Sequence, residues 1–446
     1  MRVHLQQVGS VDAHKKTAVA TRMRVNEKEV DGLESETETF GTTTPDLLKL
    51  HDWLQEWGCS HVVIESTGDY WKPIFNLLEG NFEVWLVNAK HVHNVPGRKT
   101  DVSDSEWLAE LMMYGLLRAS FIPPKPQRAL RDLTRYRTRL IQERARTVNR
   151  VQKLLEGANI KLASVVSDVM GVSARAMLAA IVDGESDATL MAELARGRLR
   201  NKLPELEKAL TGLVQPHHRF LLATQLSHID FLGEQIEAIS AEIGRQLEAM
   251  DRPPDPPRGN GAASDEEAED GPQEEPLTWA QAIAIVKTHP GIDTKAAEDL
   301  LAEFGIHVES QFPSASHFTS WLGLCPGNNE SGGKRRSGRT RQGNTYAKSL
   351  FVQVAWSAIR VKDSVLKERY HRLARRRGKK RAIVAIARSI AANVWYMLSR
   401  RQPHQELGGD FYDQRDKESK VGYLVRRLEK LTGGTVSVEL QPAAAA

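Results

Sequence analysis

The chain has 446 residues, 41% of them apolar and 26% charged, with a formal net charge of +4. That length implies two or three domains, and the apolar share excludes a wholly disordered chain. Cys59 and Cys325 stand in unrelated contexts, which excludes a disulfide framework and a cysteine-rich zinc site and reads as two reduced thiols. No signal segment precedes the first strand pattern and no apolar run reaches membrane-spanning length, so the expectation is a soluble, cytoplasmic protein.

Strand and helix patterns alternate over residues 1–124. VHLQQVGSVDAHK and TAVATRMRV read as two strands joined by a short turn, and HVVIES as a third, short and apolar. GDYWKPIFNLLEG reads as a helix ended by glycine, and FEVWLVNA as the next strand. DVSDSEWLAELMMYGLL has helical spacing, with Trp107, Leu108, Leu111, Met112 and Leu116 on one side. This is an α/β unit with a mixed sheet, and Trp53, Trp57, Trp71 and Trp85 are expected in its core.

Residues 125–250 read as a helical arm. Leu130, Leu133, Leu140, Ile141, Val148, Val151, Leu154 and Leu155 mark an amphipathic face between many arginines. A second long helix, from about His217 to Met250, is placed to pair with the first in antiparallel fashion. Those arginines have two open readings, a grip on nucleic acid or a solvated face. Residues 251–276 hold nine acids against two bases, with Pro and Gly and almost no apolar side chain, and read as a disordered acidic linker. Residues 277–446 read as a mostly helical domain. Within them, 331–401 hold twenty bases against two acids, an electrostatic footprint for polyanions. THPGIDTKAAEDLLAEFG is helix, Pro-Gly turn and helix, either a phosphate-holding helix-hairpin-helix element or a plain αα-turn. Ile383, Ile386, Ile390, Val394 and Met397 are expected core.

Four acids of the first unit share a pattern. Asp12 lies on the first strand, Glu65 ends the apolar VVIE strand, and Asp101 and Asp104 sit three apart at a helix start. Acids in a first helical turn are ordinary complements of the helix dipole. Several carboxylates at one point instead repel one another unless a cation neutralises them, and hard oxygen ligands suit Mg²⁺ or Mn²⁺. Such ions clamp the attacking and leaving oxygens of a phosphodiester. His14 lies close to Asp12 in sequence. His91 and His93, and His217 and His218, are too few for a metal site without a third ligand.

Residues 327–344, GNNESGGKRRSGRTRQGN, cannot build a core. Gly332 and Gly333 allow a sharp turn beside Ser331, and Lys334, Arg335, Arg336, Arg339 and Arg341 suit phosphate. Arg375, Arg376 and Arg377, in RRRGKKR, read as contacts to a phosphate backbone. A serine among arginines at a phosphodiester either hydrogen-bonds a phosphate or attacks phosphorus to form a covalent link.

VGSVDAHKK, VVIESTGDYWKPIFNLLEG and PGRKTDVSDSEWLAELMMYGLL resemble, in order, the RuvC-like domain of the DEDD transposases of bacterial insertion sequences. FTSWLGLCPGNNESGGKRRSGRTRQGN and the helical stretch after it resemble that family's second domain. The resemblance implies an RNase H-like first domain with Asp12, Glu65, Asp101 and Asp104 as its acidic set. It implies a serine acting with those distant carboxylates, delivered from the other domain or another subunit. Ser331, before the Gly-Gly-Lys, is the aligned residue and Ser337 the runner-up. It further implies DNA strand cutting and rejoining for an insertion sequence, an element-encoded bridge RNA as guide, a homodimer or homotetramer, and a nucleoid-associated location. The acidic 251–276 stretch is longer than that family's pattern leads one to expect.

Two other functions fit parts of the sequence. A structure-specific nuclease resembling Holliday-junction resolvases would use the carboxylates and a metal-activated water without a serine. A non-catalytic nucleic-acid scaffold would need neither, and the ordered set of four acids argues against it.

Overall fold

The computed structural model describes residues 3–26, 32–65, 68–88, 104–252, 276–327, 329–415 and 417–437, and only the backbone of residues 329–331, 335, 336, 413 and 418–420. Two compact units divide the chain, Met1–Ile122 and Pro123–Ala446. The first is mixed α/β and the second mostly helical, as the sequence patterns led one to expect.

In the first unit five strands form one sheet: β1 (Gln7–Ala13), β2 (Thr17–Val25), β3 (Leu33–Gly41), β4 (His61–Glu65) and β5 (Glu83–Val87), in the order β3-β2-β1-β4-β5. The first three pair antiparallel, and β1–β4 and β4–β5 are parallel. Three helices are described with them: α1 (Thr44–Glu56), α2 (Trp71–Leu78) and α3 (Asp104–Met113). Alternate strand residues feed two cores. Val11, Val62 and Ile64 pack with Leu50 and Leu54 of α1 and Leu78 of α2, while Val8 and Val63 pack with Leu108, Leu111 and Met112 of α3. Helices on both faces are what the unbroken Val-Val-Ile of β4 requires. Each fully buried Leu or Ile contributes about 1.5–3 kcal/mol.

The strand pattern of residues 1–124 omits β3 and the helical pattern omits α1. β3 reads LESETETFG, an acidic edge strand, and its acids are matched by β2: Arg22 Nε donates to Glu36 (2.9 Å) and Arg24 Nε to Glu34 (2.8 Å). The Arg22 guanidinium also lies 4.3 Å from the Trp53 ring centroid. Trp53 is buried, whereas Trp57, Trp71 and Trp85 are only partly buried against the two cores. Helix α3 stops at Met113, Gly115 takes a left-handed φ of 66°, and Leu116, expected on the buried side, is 43% exposed. Leu117 takes the buried place instead.

The second unit is organised by α4 (Lys125–Gly157) and α5 (Pro216–Met250). At 33 residues α4 is roughly 50 Å long. The two run antiparallel: Leu140 packs with Leu232 and Ile236, while Val151 and Leu155 join the cluster that holds Leu222, Leu226 and Ile229. Short helices over residues 162–210 complete that cluster. Ile141, expected on the apolar face, is 42% exposed.

Beyond these come α6 (Trp279–Lys287), α7 (Thr294–Phe304), α8 (Ala315–Trp321), the strands β6 (Asn329–Ser331) and β7 (Lys334–Ser337), then α9 (Thr345–Ala358), α10 (Val365–Arg377), α11 (Lys379–Ser399) and α12 (Lys417–Thr432). Asp251, just after α5, caps α6: its carboxylate accepts from the backbone N–H of Trp279 (2.6 Å) and Ala280 (2.9 Å). Thr278 accepts from Gln281 N–H, so the first donors of α6 are satisfied. The expected linker lies, apart from its ends, outside the described residues.

α6 and α7 form the anticipated helix–turn–helix. Gly291 in its turn has φ 86°, and a Cβ there would lie 2.7 Å from Ala358 N. Asp293 accepts from Ala296 N–H at the start of α7. With its glycine pressed on α9 and its helix start capped, the element resembles the plain αα-turn more than a phosphate clasp. Helix α11 is long and apolar enough to cross a membrane by length and composition, contrary to expectation. Its Ile383, Ile386, Ile390, Val394 and Met397 are all buried within the unit, which makes it a core helix.

Candidate functional site

Asp12 and Glu65 are brought together by register. Val11 pairs with Ile64 on adjacent parallel strands, so Asp12 and Glu65, the next residues, stand at one level. Strand alternation gives both the face that carries Val8 and Val63, the face covered by α3. Asp104 is the first residue of α3.

Its neighbour Ser105 ties that helix start to the sheet. Ser10 Oγ donates to the Ser105 carbonyl (2.5 Å), and the Ser105 hydroxyl lies 2.8 Å from Thr21 Oγ1. Ser10, Thr21 and Ser105 are each at most 1% exposed. Buried hydroxyls that satisfy one another fix geometry, since leaving one unpaired costs about 1–3 kcal/mol. Ser10 stands two residues before Asp12 on the same face, so this latch holds the Asp104 end of α3 over the Asp12 strand. Sequence patterns gave no warning of it, because a serine and a threonine inside apolar strands look like interruptions.

Asp12 Oδ2 lies 3.1 Å from His14 Nε2, so the proximity of the two in sequence becomes a contact. Asp101, His91 and His93 lie outside the described residues. Among the described residues no three His, Cys, Asp or Glu side chains stand close enough to hold a metal ion. The donor set itself, carboxylates alone with one histidine beside them, has the hard-oxygen chemistry of a Mg²⁺ or Mn²⁺ site.

The glycine-rich stretch is a β-hairpin. β6 and β7 pair antiparallel with Ser331 opposite Lys334, and the two residues between them, Gly332 and Gly333, have φ of 58° and 73°. Two consecutive positive φ values make a type I′ turn, the tight hairpin connection, which L side chains other than Asn and Asp resist. A Cβ at either glycine would meet nothing within 4 Å, so the tip is open.

The base of the hairpin is closed. Pro326 bridges Thr340, and Gly327 N–H donates to the Arg339 carbonyl (2.7 Å). A Cβ on Gly343 would fall 2.4 Å from both Trp321 O and Gly323 N. Asn344 ends the stretch by capping α9, accepting from Tyr346 N–H and Ala347 N–H (3.1 Å each), and its amide donates to Glu303 (2.6 Å). Asn344 and Tyr346 thus serve the fold, with Arg139 donating to the Tyr346 hydroxyl (2.8 Å). Ser331 flanks the turn, but its side chain and those of Arg335 and Arg336 lie outside the description. Ser337 lies toward the base, where its hydroxyl accepts from Arg339 N–H (3.2 Å).

Three arginines of α4, Arg131, Arg135 and Arg137, follow a third course that the sequence did not suggest, while Arg146 and Arg150 are exposed. Arg137 is 1% exposed and donates to Glu298 (2.7 Å) and Asp299 (2.6 Å) of α7. Burial holds the Asp299 carboxyl above the usual range while Arg137 pulls it back. Arg135 makes a two-pronged pair with Glu303 (2.7 and 2.9 Å), which is itself buried, and Arg131 donates to the Glu303 carbonyl. These side chains are internal ties.

The basic residues of the C-terminal stretch differ from one another. Lys334, Arg341, Arg375 and Arg376 are exposed. Arg339 and Arg377 line a groove of about 900 Å³ between the hairpin base and the α10–α11 elbow, together with Ser337. Lys380, Arg381 and Arg388 line it too. Arg388 was not singled out from the sequence, although its seven-residue offset from Arg381 puts both on one helical face.

Comparison with known proteins bears on the family of the chain. Residues 9–160 match a family described as Transposase, of the DEDD IS110 type, and residues 283–371 match the Transposase IS116/IS110/IS902 family. A protein of Pseudomonas aeruginosa described as a probable family 20 transposase is 24% identical over 359 residues, covering 79% of this chain and 88% of that one.

Proposed function

Because the chain belongs to the IS110-type transposases, a family of DNA-cutting and DNA-transferring proteins, we propose that it exchanges DNA strands through a serine nucleophile and an acidic metal site. What carries the proposal is the placement of Asp12 and Glu65 side by side on neighbouring parallel strands, under the helix that Asp104 begins. Two antiparallel pairings followed by two parallel ones, in the order β3-β2-β1-β4-β5, support an RNase H-like reading of the first unit.

Asp12, Glu65, Asp101 and Asp104 would hold Mg²⁺ or Mn²⁺, which when bound neutralises charge developing on phosphate oxygens. Ser331 stands on a two-residue hairpin whose tip is open, a position that a DNA backbone can approach closely. Its hydroxyl oxygen forms a bond to phosphorus as the bond from phosphorus to one flanking sugar oxygen breaks. The serine proton leaves to a base and the departing sugar oxygen gains one. One phosphodiester is exchanged for another, so a second strand's hydroxyl can displace the serine without an outside energy source. Lys334, Arg335, Arg336, Arg339 and Arg341 would hold the phosphates by charge-assisted hydrogen bonds. A guide RNA and assembly into a homodimer or homotetramer belong to the same proposal, supported by the basic surface and by the two long paired helices.

The test is covalent capture. A nicked or suicide DNA substrate with Mg²⁺ should give a protein–DNA adduct on a denaturing gel, absent in Ser331→Ala and kept in Ser337→Ala. Asp12→Asn should abolish it in the wild type and in Ser337→Ala alike. Cleavage without an adduct in Ser331→Ala would favour the hydrolytic nuclease and sink the serine mechanism. Loss of exchange after RNase treatment would support the guide RNA.

A further inference from the structure

The groove between the hairpin base and the α10–α11 elbow has a composition that the internal arginines of α4 lack. Five cations line it: Arg339 from the hairpin, Arg377 from α10, and Lys380, Arg381 and Arg388 from α11. No acid lines it, and among the described residues none of the five is in an ion pair. On α4, by contrast, Arg131, Arg135 and Arg137 are neutralised by Glu298, Asp299 and Glu303. Like charges gathered without counter-charges repel, which a fold tolerates where a polyanion is to be bound.

The floor is apolar. Leu324, Leu373, Val384 and Ala385 line it beneath the cations. A lone phosphate ion has no use for such a floor. A nucleic-acid strand has, since its sugars and base edges are apolar between charged phosphates. No aromatic side chain lines the groove, so bases have no platform to stack on. Gly378, with φ 81°, makes the elbow, and α11 starts there without a side-chain cap, adding its first N–H groups to the cationic rim.

We propose that this groove seats a single-stranded phosphodiester segment by its backbone, without regard to sequence. The proposal rests on the transposase reading only for the source of the strand, DNA or RNA. The strand's phosphates meet the five cations, and its sugars lie on the Leu324–Val384 floor.

The experiment uses the full chain in EDTA, where no cutting occurs, with fluorescently labelled dT and rU oligomers of twelve nucleotides and anisotropy read across salt concentrations. Each lost phosphate contact lowers the slope of log K against log salt by about 0.7 for a single strand. Arg381→Ala/Arg388→Ala should therefore reduce that slope by about 1.4 and weaken low-salt binding at least tenfold. Arg196→Ala/Arg198→Ala, outside the groove, should change neither. Val384→Glu places a negative charge on the floor, and it should weaken binding by a similar factor with an unchanged melting temperature. A preference for dT or for rU names the source, and equal affinities name the backbone alone. An unchanged slope in Arg381→Ala/Arg388→Ala, equal losses in the control pair, or full binding by a folded Val384→Glu would overturn the groove. Because the assay reads binding in EDTA, with neither cutting nor adduct, failure of the serine mechanism would leave this result untouched.

Discussion

Replacing Arg137 by methionine should be among the most damaging single changes in the second unit. Methionine retains most of the aliphatic volume but leaves Asp299, 8% exposed, without its cation, and Glu298 without its donor. Breaking a buried pair by removing one partner costs about 3–5 kcal/mol. At pH 7 this predicts a fall of roughly 10²- to 10⁴-fold in hydrogen-exchange protection of the α4 and α7 amides. The deficit should depend on pH. Asp299 already sits above the usual carboxylate range through burial, and loss of Arg137 raises it further. A carboxyl whose folded pKa exceeds its unfolded value favours the fold in its protonated form. Its stability is present below the unfolded pKa and is lost as pH rises through the folded one. The variant should therefore be nearest to wild type around pH 4 and fall away toward neutrality. Arg137→Met/Asp299→Leu, which removes both charges, should recover most of the loss. A deficit below tenfold in protection at pH 7, or one that shrinks as pH rises, would refute the claim that α4 is tied to α7 through a desolvated pair.

Two further outcomes can be checked on the same protein. Burial lowers the pKa of His289 to about 4, with His404 beside it adding to the effect. The unfolded chain then binds the proton more readily, so stability should fall as pH drops from about 6.5 toward 4, by up to about 3 kcal/mol. His289→Phe should flatten that decline in urea unfolding at pH 7 and 4.5, and parallel declines would show that other groups are responsible. Gly343→Ala must push backbone aside at Trp321 and Gly323, at a cost of about 1–3 kcal/mol, and under the proposed serine mechanism should lower adduct formation at least tenfold. Gly332→Asn, at an open left-handed position that Asn tolerates, should keep near-wild-type adduct yield. The reverse ranking would mean that the hairpin base is not what positions the serine.

Much of the scaffold was legible because its periodicity is strong. The VVIE run and the helical spacing of Trp107, Leu108, Leu111 and Met112 gave both elements that bracket the acidic set. The two long helices and their antiparallel pairing were legible for the same reason. What was missed lacks an apolar signature. β3 is stabilised by charge pairs with β2 and aromatic contacts of Arg22, so its residues look like a loop. The β6–β7 hairpin has only polar side chains and is set by two glycines, visible as a turn but not as a ladder. Arg137 occupies a place in the buried stripe between Leu130 and Leu140 where an apolar residue would be expected, and only α7 explains it. The Ser10–Thr21–Ser105 latch joins residues up to 95 apart, a distance no local pattern reports. The acids at the strand ends were legible as a set, and sequence alone could order them but not show that Asp12 and Glu65 share a level.

The cap that Asp251 places on α6 has a practical consequence. A carboxylate bound to the N–H groups of Trp279 and Ala280 makes the chain leave and return at one point. The stretch between can then grow or shrink without moving either flanking helix, because its span is fixed by two hydrogen bonds rather than by its own length. Doubling such a closed excursion costs only about 0.6 kcal/mol in chain entropy. The position is thus a natural port for grafting, where a reporter or a further binding module could be spliced in while Asp251, Thr278 and Trp279 keep the frame shut.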